Sequence, residues 1–249
     1  GPNITGPGEA VGAPWHPHRG FETVTYLLDG RMKHEDSAGN KGDLNPGDVQ
    51  WMTAGRGIIH SELPHDEFQK TGGRTHGFQI WVNLPAEHKM MPPRYQEIPA
   101  TESPTIQKDG VWARVIAGEC MGISSSIDTV IPITLIHVKM NDGTKLNHQI
   151  KSQLNSMIYV FSGKITVFNE ARVKKYPQVL GLGVNQVVKD GELALLSEGS
   201  EVEIHSNGPS ELLILAGPEL NEPISRYGPF VMNTKEEIEQ AFFDYRNGN

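Results

Sequence analysis

Cysteine is nearly missing from this chain: Cys120 is the only one in 249 residues. That excludes an intrachain disulfide framework and fits a reducing compartment, cytoplasmic or, in a eukaryote, nuclear. No apolar run approaches the roughly 18 residues that a membrane span requires, so no membrane segment is expected. Positive charge is in deficit as well, with 22 Lys and Arg against 30 Asp and Glu, a formal charge of -8 and a pI near 5.7. Such a field repels phosphate backbones, and contact with nucleic acid is expected only through a partner. A basic-then-apolar leader is missing too, so secretion is not expected and Asn3-Ile4-Thr5 matches the glycosylation pattern by accident. Helical periodicity is scarce. It is convincing only at the end, where Ile238, Ala241, Phe242 and Tyr245 share one face, Thr234 and Glu237 form a capping box, and Gly248 stops the helix.

What the chain has is turns and short strands. Its 27 glycines and 17 prolines punctuate segments rich in β-branched and aromatic residues: 21–28, 49–53, 58–63, 77–82, 133–140, 157–168, 193–197, 201–205 and 212–216. That spacing predicts an all-β sandwich or barrel architecture. The length allows one large domain or two of roughly 125 residues, and an internal repeat decides for two. Tyr26-Leu27-Leu28-Asp29-Gly30-Arg31-Met32 resembles Tyr159-Val160-Phe161-Ser162-Gly163-Lys164-Ile165, and Gly47-Asp48, Gly55 and His60 then find partners in Gly191-Glu192, Gly199 and His205. The expected division is a first barrel over 1–98, a polar linker over 99–110, a second barrel over 111–232 and a helix over 233–249.

Two pairs of candidate metal ligands lie in the first repeat, His16-Pro17-His18 and His60-Ser61-Glu62. Residues two apart on a strand point to the same face, so two such strands side by side make a cage. Three imidazoles and one carboxylate suit a borderline divalent ion, Fe(II), Mn(II), Ni(II), Cu(II) or Zn(II), with positions left open for substrate. Carrying the repeat offset across puts Gln149, Lys151 and His205-Ser206-Asn207 at the corresponding places, so the second barrel is expected to bind no metal.

The run His16-Pro17-His18-Arg19-Gly20-Phe21-Glu22 to Gly30, then Asn45-Pro46-Gly47-Asp48 on to His60-Ser61-Glu62, resembles the pirin family of the cupin superfamily. The likeness continues through Gln79 to Leu84, Tyr95 to Glu97, Gly217 to Pro223 and Tyr227 to Thr234, and is weakest over Ala171 to Gln186. It implies a bicupin of two β-barrel or jelly-roll domains, with iron in the N-terminal barrel held at His16, His18, His60 and Glu62. It also implies a further segment ahead of the first residue here, and a Glu22 that does not ligate the metal. Family activity implies quercetin 2,3-dioxygenase chemistry on a flavonol, with Glu62 the candidate base and Glu22 its rival if it faces the cavity. The alternative implied is an iron-dependent, redox-sensitive transcription co-regulator acting through a protein partner. A monomer is expected.

Other polar residues receive plainer readings. Gln79 and Trp81 share a strand face and are candidates to line the cavity, and His76 is either the next wall residue or a strand end. His34, His65, His88, His137 and His148 are expected to be surface or internally satisfied histidines, Met90-Met91 to be packing, and Cys120 to be a small buried residue.

Overall fold

The computed structural model describes residues 1–168 and 185–248. It is nearly all strand, in two compact units: Gly1–Glu102 together with Leu220–Asn249, and Ser103–Glu219. Among the described residues no helix is long and apolar enough to cross a membrane.

The first unit is built from β1 (Asn3–Thr5), β2 (Ala13–His18), β3 (Phe21–Asp29), β4 (Met32–Asp36), β5 (Lys41–Leu44), β6 (Val49–Thr53), β7 (Ile58–Pro64), α1 (Asp66–Thr71), β8 (Gly73–Asn83) and β9 (Arg94–Ile98). One sheet runs β1-β8-β3-β6-β9 and the other β2-β7-β4-β5, antiparallel throughout. The second unit holds β10 (Thr105–Lys108), β11 (Val111–Ala117), β12 (Glu119–Cys120), β13 (Ile123–Ser124), β14 (Thr134–Met140), β15 (Lys145–Gln149), β16 (Leu154–Ser162), β17 (Lys164–Phe168), β18 (Gln186–Lys189), β19 (Leu193–Leu195), β20 (Glu201–Ser206) and β21 (Ser210–Pro218). Its sheets run β10-β11-β14-β21-β16-β19 and β15-β20-β17-β18, the latter repeating the order of β2-β7-β4-β5. The two units thus share one sheet arrangement, as the internal repeat predicts.

Ladder register refines the match between the copies. If Met32 on β4 corresponds to Ile165 on β17, their partners Pro64 and Ser206 correspond, and Glu62 then matches Ile204 and His60 matches Val202. Across the next ladder His60 faces His16 and Val202 faces His148. The inward positions of the second unit are therefore Val202, Ile204, Val167 and Ile150, members of one apolar cluster, with the single buried His148. This corrects the positions expected from sequence. Gln149, Lys151 and Asn207 are exposed, and His205 lies on the outward side of β20, bonded to Glu203 and packed on Phe168. Loops of unequal length shifted the sequence offset by an odd number of residues, and an odd shift reverses which face a strand residue occupies.

Two expected boundaries also move. The segment 220–232 belongs to the first unit, where β22 (Ser225–Tyr227) and β23 (Phe230–Met232) lead into α2 (Lys235–Arg246). Inside the expected linker, β10 pairs with β11 as an edge strand of the second unit. The short α1, N-capped by His65 accepting from the Glu67 amide, had no periodicity to announce it. Of the block Ala171 to Gln186, residues 171–184 lie outside the described residues.

The returning segment is fastened to the end of β2. Arg19, just after β2, donates to Asp244 of α2 at 2.7 Å. A Cβ on Gly20, whose φ is +89°, would collide with the Val231 carbonyl, so only glycine lets β23 approach there. The buried Lys89 amine donates to Gly20 O, Asn83 Oδ1 and Val231 O at 2.7 to 2.8 Å, and burial lowers its pKa to about 8. Ile238 and Ala241 of α2 pack with Phe230 and Met232, Phe242 is half-buried against them, but Tyr245, expected in the same stripe, is exposed. Ile238→Ala should therefore cost about 2–4 kcal/mol by cavity formation, whereas Tyr245→Ala should stay within about 0.5 kcal/mol. Denaturant melts of the two variants check this ordering.

Candidate metal centre

The inner face of the β2-β7-β4-β5 sheet carries the site. His16 and His60 are direct ladder partners, and His18 follows two residues after His16 on the same face. Glycine before β2 makes the approach of these strands feasible, since a Cβ at Gly12 would strike the Glu62 carbonyl. Ring centroids lie 4.7 Å apart for His16 and His18, 4.3 Å for His16 and His60, and 4.9 Å for His18 and His60. One nitrogen from each falls within 4.8 Å of the other two, the one such cluster among the described residues.

Each imidazole is held from behind. His16 Nδ1 contacts the Pro14 carbonyl at 2.7 Å, His18 Nδ1 the Pro229 carbonyl at 3.3 Å, and His60 Nδ1 the Nδ1 of His34 at 3.5 Å. With Nδ1–H donating outward, all three rings offer Nε2 lone pairs to the interior. The Nε2 atoms of His16 and His18 are 3.0 Å apart, and His60 Nε2 is buried with no hydrogen-bond partner. An orphaned buried acceptor is costly, and converging unprotonated imidazole nitrogens are the donor set of a borderline divalent cation. The residues fit a metal. Their electrostatics agree: burial, then the neighbouring His16, holds His18 near pKa 4, against the opposing Pro229 carbonyl. Burial, then His18, His16 and His34, holds His60 near 2. Both are neutral at physiological pH, as ligation demands.

Glu62 does not join the three nitrogens. It is buried on the same face of β7, where Thr25 Oγ1 donates to its Oε1 at 3.0 Å and Gln79 Nε2 to its Oε2 at 2.7 Å. Gln79 Oε1 in turn accepts from Trp81 Nε1 at 3.4 Å, and Trp81 lies against His18 and Phe21. Gln79 and Trp81 thus stand on the face of β8 turned toward Glu62 and His18. Glu22 is not brought to the site: it is an odd number of residues from Thr25 on the regular part of β3, so it points to the other side of the sheet, where Thr53 donates to it at 2.7 Å and Arg94 stands 4.0 Å away. That orientation removes Glu22 as a rival base. His76 likewise falls on the opposite face of β8 from Gln79 and Trp81. Cys120 is buried, and burial pushes its thiol up to about 11, so it is no nucleophile.

His34, read as surface or internally satisfied, is internally satisfied: it is buried against His60, stacked on Tyr95 at 5.1 Å, and 3.4 Å from Asp36 Oδ2. Its place beside the imidazole cluster was not foreseen. The signal was present: His34 and Asp36 are a third i, i+2 pair, on the strand beside β7.

The sequence matches two family models, Pirin over residues 1–82 and the pirin C-terminal cupin domain over residues 135–249. The chain belongs to the pirin family. Human pirin is 43% identical over 243 residues, 96% of this chain and 78% of its own. A crystal structure of quercetin 2,3-dioxygenase from Acinetobacter baumannii superposes with a TM-score of 0.88 at 37% identity, covering 100% of this chain and 82% of that one. A bacterial pirin of Escherichia coli in complex with nickel(II) shares the fold alone, at 24% identity and a TM-score of 0.63, over 87% of this chain and 80% of that one.

One equivalent of divalent metal per chain is the expected stoichiometry by elemental analysis of protein made without an affinity tag. A His16→Ala, His60→Ala double variant should retain none. The chelated protein should also lose stability as pH falls. Below about 6.5 the unfolded chain protonates both imidazoles, while folded His18 resists until about 4. The unfolded state then binds more protons, and the melting temperature should drop through that window, less so in His18→Gln.

Proposed function

We propose that this pirin-family chain is a metal-dependent oxygenase that opens flavonols of the quercetin type, with Fe(II) as its resident metal. The observation that carries the reading is the convergence of three imidazole nitrogens on one strand face, with the Glu62 carboxylate two residues from His60 on that face and held by Gln79, which Trp81 contacts. The relation to a quercetin 2,3-dioxygenase at 37% identity supports it. His16, His18 and His60 would hold the metal, with Glu62 completing the set if its carboxylate turns toward them on loading, and the metal would supply Lewis acidity towards a ligand hydroxyl and redox chemistry towards oxygen.

The protein residues have separable tasks. Thr25 and Gln79 donate to opposite oxygens of Glu62 and so fix the carboxylate plane. Each oxygen keeps a second lone pair, which leaves the group able both to ligate and to accept a proton. Glu62 therefore takes the proton of the flavonol 3-hydroxyl, at hydrogen-bond range in the bound complex. Trp81, 37% exposed, with the Arg226 guanidinium 5.0 Å above its ring, offers a flat platform for a planar polyphenol. Phe21 and Trp81 cover His18 and keep water from it. The lone buried cysteine suits work in a reducing compartment, the cytoplasm or, in a eukaryote, the nucleus.

Glu62→Gln keeps the shape and an oxygen donor but cannot accept the proton. It should retain metal by elemental analysis and lower the rate of oxygen uptake with quercetin about a hundredfold or more. Wild-type turnover in that variant would leave Glu62 a ligand only. A metal-replete wild-type chain that consumes no oxygen with any flavonol would overturn the enzyme reading in favour of a metal-dependent regulator that binds a protein partner, to which the net charge of -8 is suited.

A further inference from the structure

Behind the three imidazoles stands a second layer of polar groups outside the cluster itself. Asp36 closes β4 at the head of the turn into β5, and that turn pins its carboxylate. The backbone amides of Ala38 and Asn40 each donate to Oδ1 at 2.9 Å, and Asn40 Nδ2 donates to Oδ2 at 2.8 Å. The remaining neighbour of Oδ2 is His34 Nε2, at 3.4 Å. His34 and Asp36 are buried, and Tyr95, itself bonded to Gln50 and Glu97, stacks on the His34 ring. On its far side His34 Nδ1 meets His60 Nδ1 at 3.5 Å. The groups form a line: a backbone-clamped carboxylate, one imidazole, a second imidazole, and the orphaned Nε2 of His60 at the centre of the cluster.

We infer that Asp36 and His34 are positioning residues that fix the tautomer and aim of His60. The inference rests on the metal-binding reading of the cluster but not on the oxygenase reading. Its logic is proton placement. A carboxylate can only accept, so His34 presents Nε2–H to Asp36 and leaves its own Nδ1 as an acceptor. His60 then donates Nδ1–H to that atom, which leaves His60 Nε2 unprotonated and facing the interior. Reverse the polarity at Asp36 and every proton in the line moves over, ending on His60 Nε2, where it blocks ligation. Outer-shell partners of this kind typically carry roughly 10- to 100-fold of metal affinity.

Two substitutions separate this from a role in folding. Asp36→Asn keeps Oδ1 for the turn amides and points an amide N–H at His34, while the Asn40 side chain flips to offer its Oδ1 to the new amide. His34→Phe keeps the stack on Tyr95 and removes both hydrogen bonds. For the full chain, Co(II) affinity by chelator competition should fall roughly 10- to 100-fold in each variant, with the melting temperature in excess chelator close to wild type. In the Co(II)-loaded wild type, proton NMR should show a paramagnetically shifted, solvent-exchangeable imidazole N–H from His60, and His34→Phe should lose that signal or sharply increase its exchange. If wild type binds one Co(II) and both variants bind it within about twofold of wild-type affinity, with the N–H signal intact, the line is merely structural and the inference is overturned. If wild type binds no Co(II), the metal reading of the cluster falls and the inference with it.

Discussion

The first unit depends on a single constraint: several polar side chains point into the interior of a β-sandwich, where each must be satisfied or pay the full cost of desolvation. His16, His18, His60, Glu62, His34 and Asp36 occupy one inner face of the β2-β7-β4-β5 sheet. The structure settles them with carbonyls of Pro14 and Pro229, the hydroxyl of Thr25, the amide of Gln79 and the turn after Asp36. Among these six side chains the orphaned atom is His60 Nε2, at the converging imidazole nitrogens, where a cation would complete the hydrogen-bonding account.

The second unit shows the same sheet order without that burden. Where the first has Glu62, His60, His34 and His18, ladder register places Ile204, Val202, Val167 and Ile150, and these join one apolar cluster. His148 alone survives at the position facing Val202, where burial lowers its pKa against the opposing charge of Glu119. One topology therefore supports a polar cage and a dry core, and the difference lies entirely in which residue types fill the inward half of each strand. Function resides in the site rather than in the architecture.

The carboxy-terminal segment links these themes. It leaves the second unit and returns to the first, where β23, α2, Lys89 and the Arg19–Asp244 pair secure the stretch immediately after His18. Pro229, from the same segment, supplies the carbonyl behind His18 Nδ1. The placement of His18 in the first unit is thus set partly by residues more than two hundred positions away in sequence.

Local pattern was enough to determine much of this. Strand period, glycine turns, the internal repeat, the capped final helix and the pairs His16/His18 and His60/Glu62 all follow from residue types at short spacing, because strand and helix periodicity are local properties. Family resemblance in those same stretches indicated the bicupin. Tertiary structure alone decided the rest. Which face Glu22 and His76 occupy, that Glu62 is held by Thr25 and Gln79, and that residues 220–232 pack on the first unit are consequences of pairing register and chain return, which no local window contains. The pair His34/Asp36 obeyed the same spacing rule as the ligands, yet its place behind His60 required knowing that β4 lies beside β7. The inward positions of the second unit were misplaced for the same reason: strand parity is exact, and loops of unequal length do not preserve it.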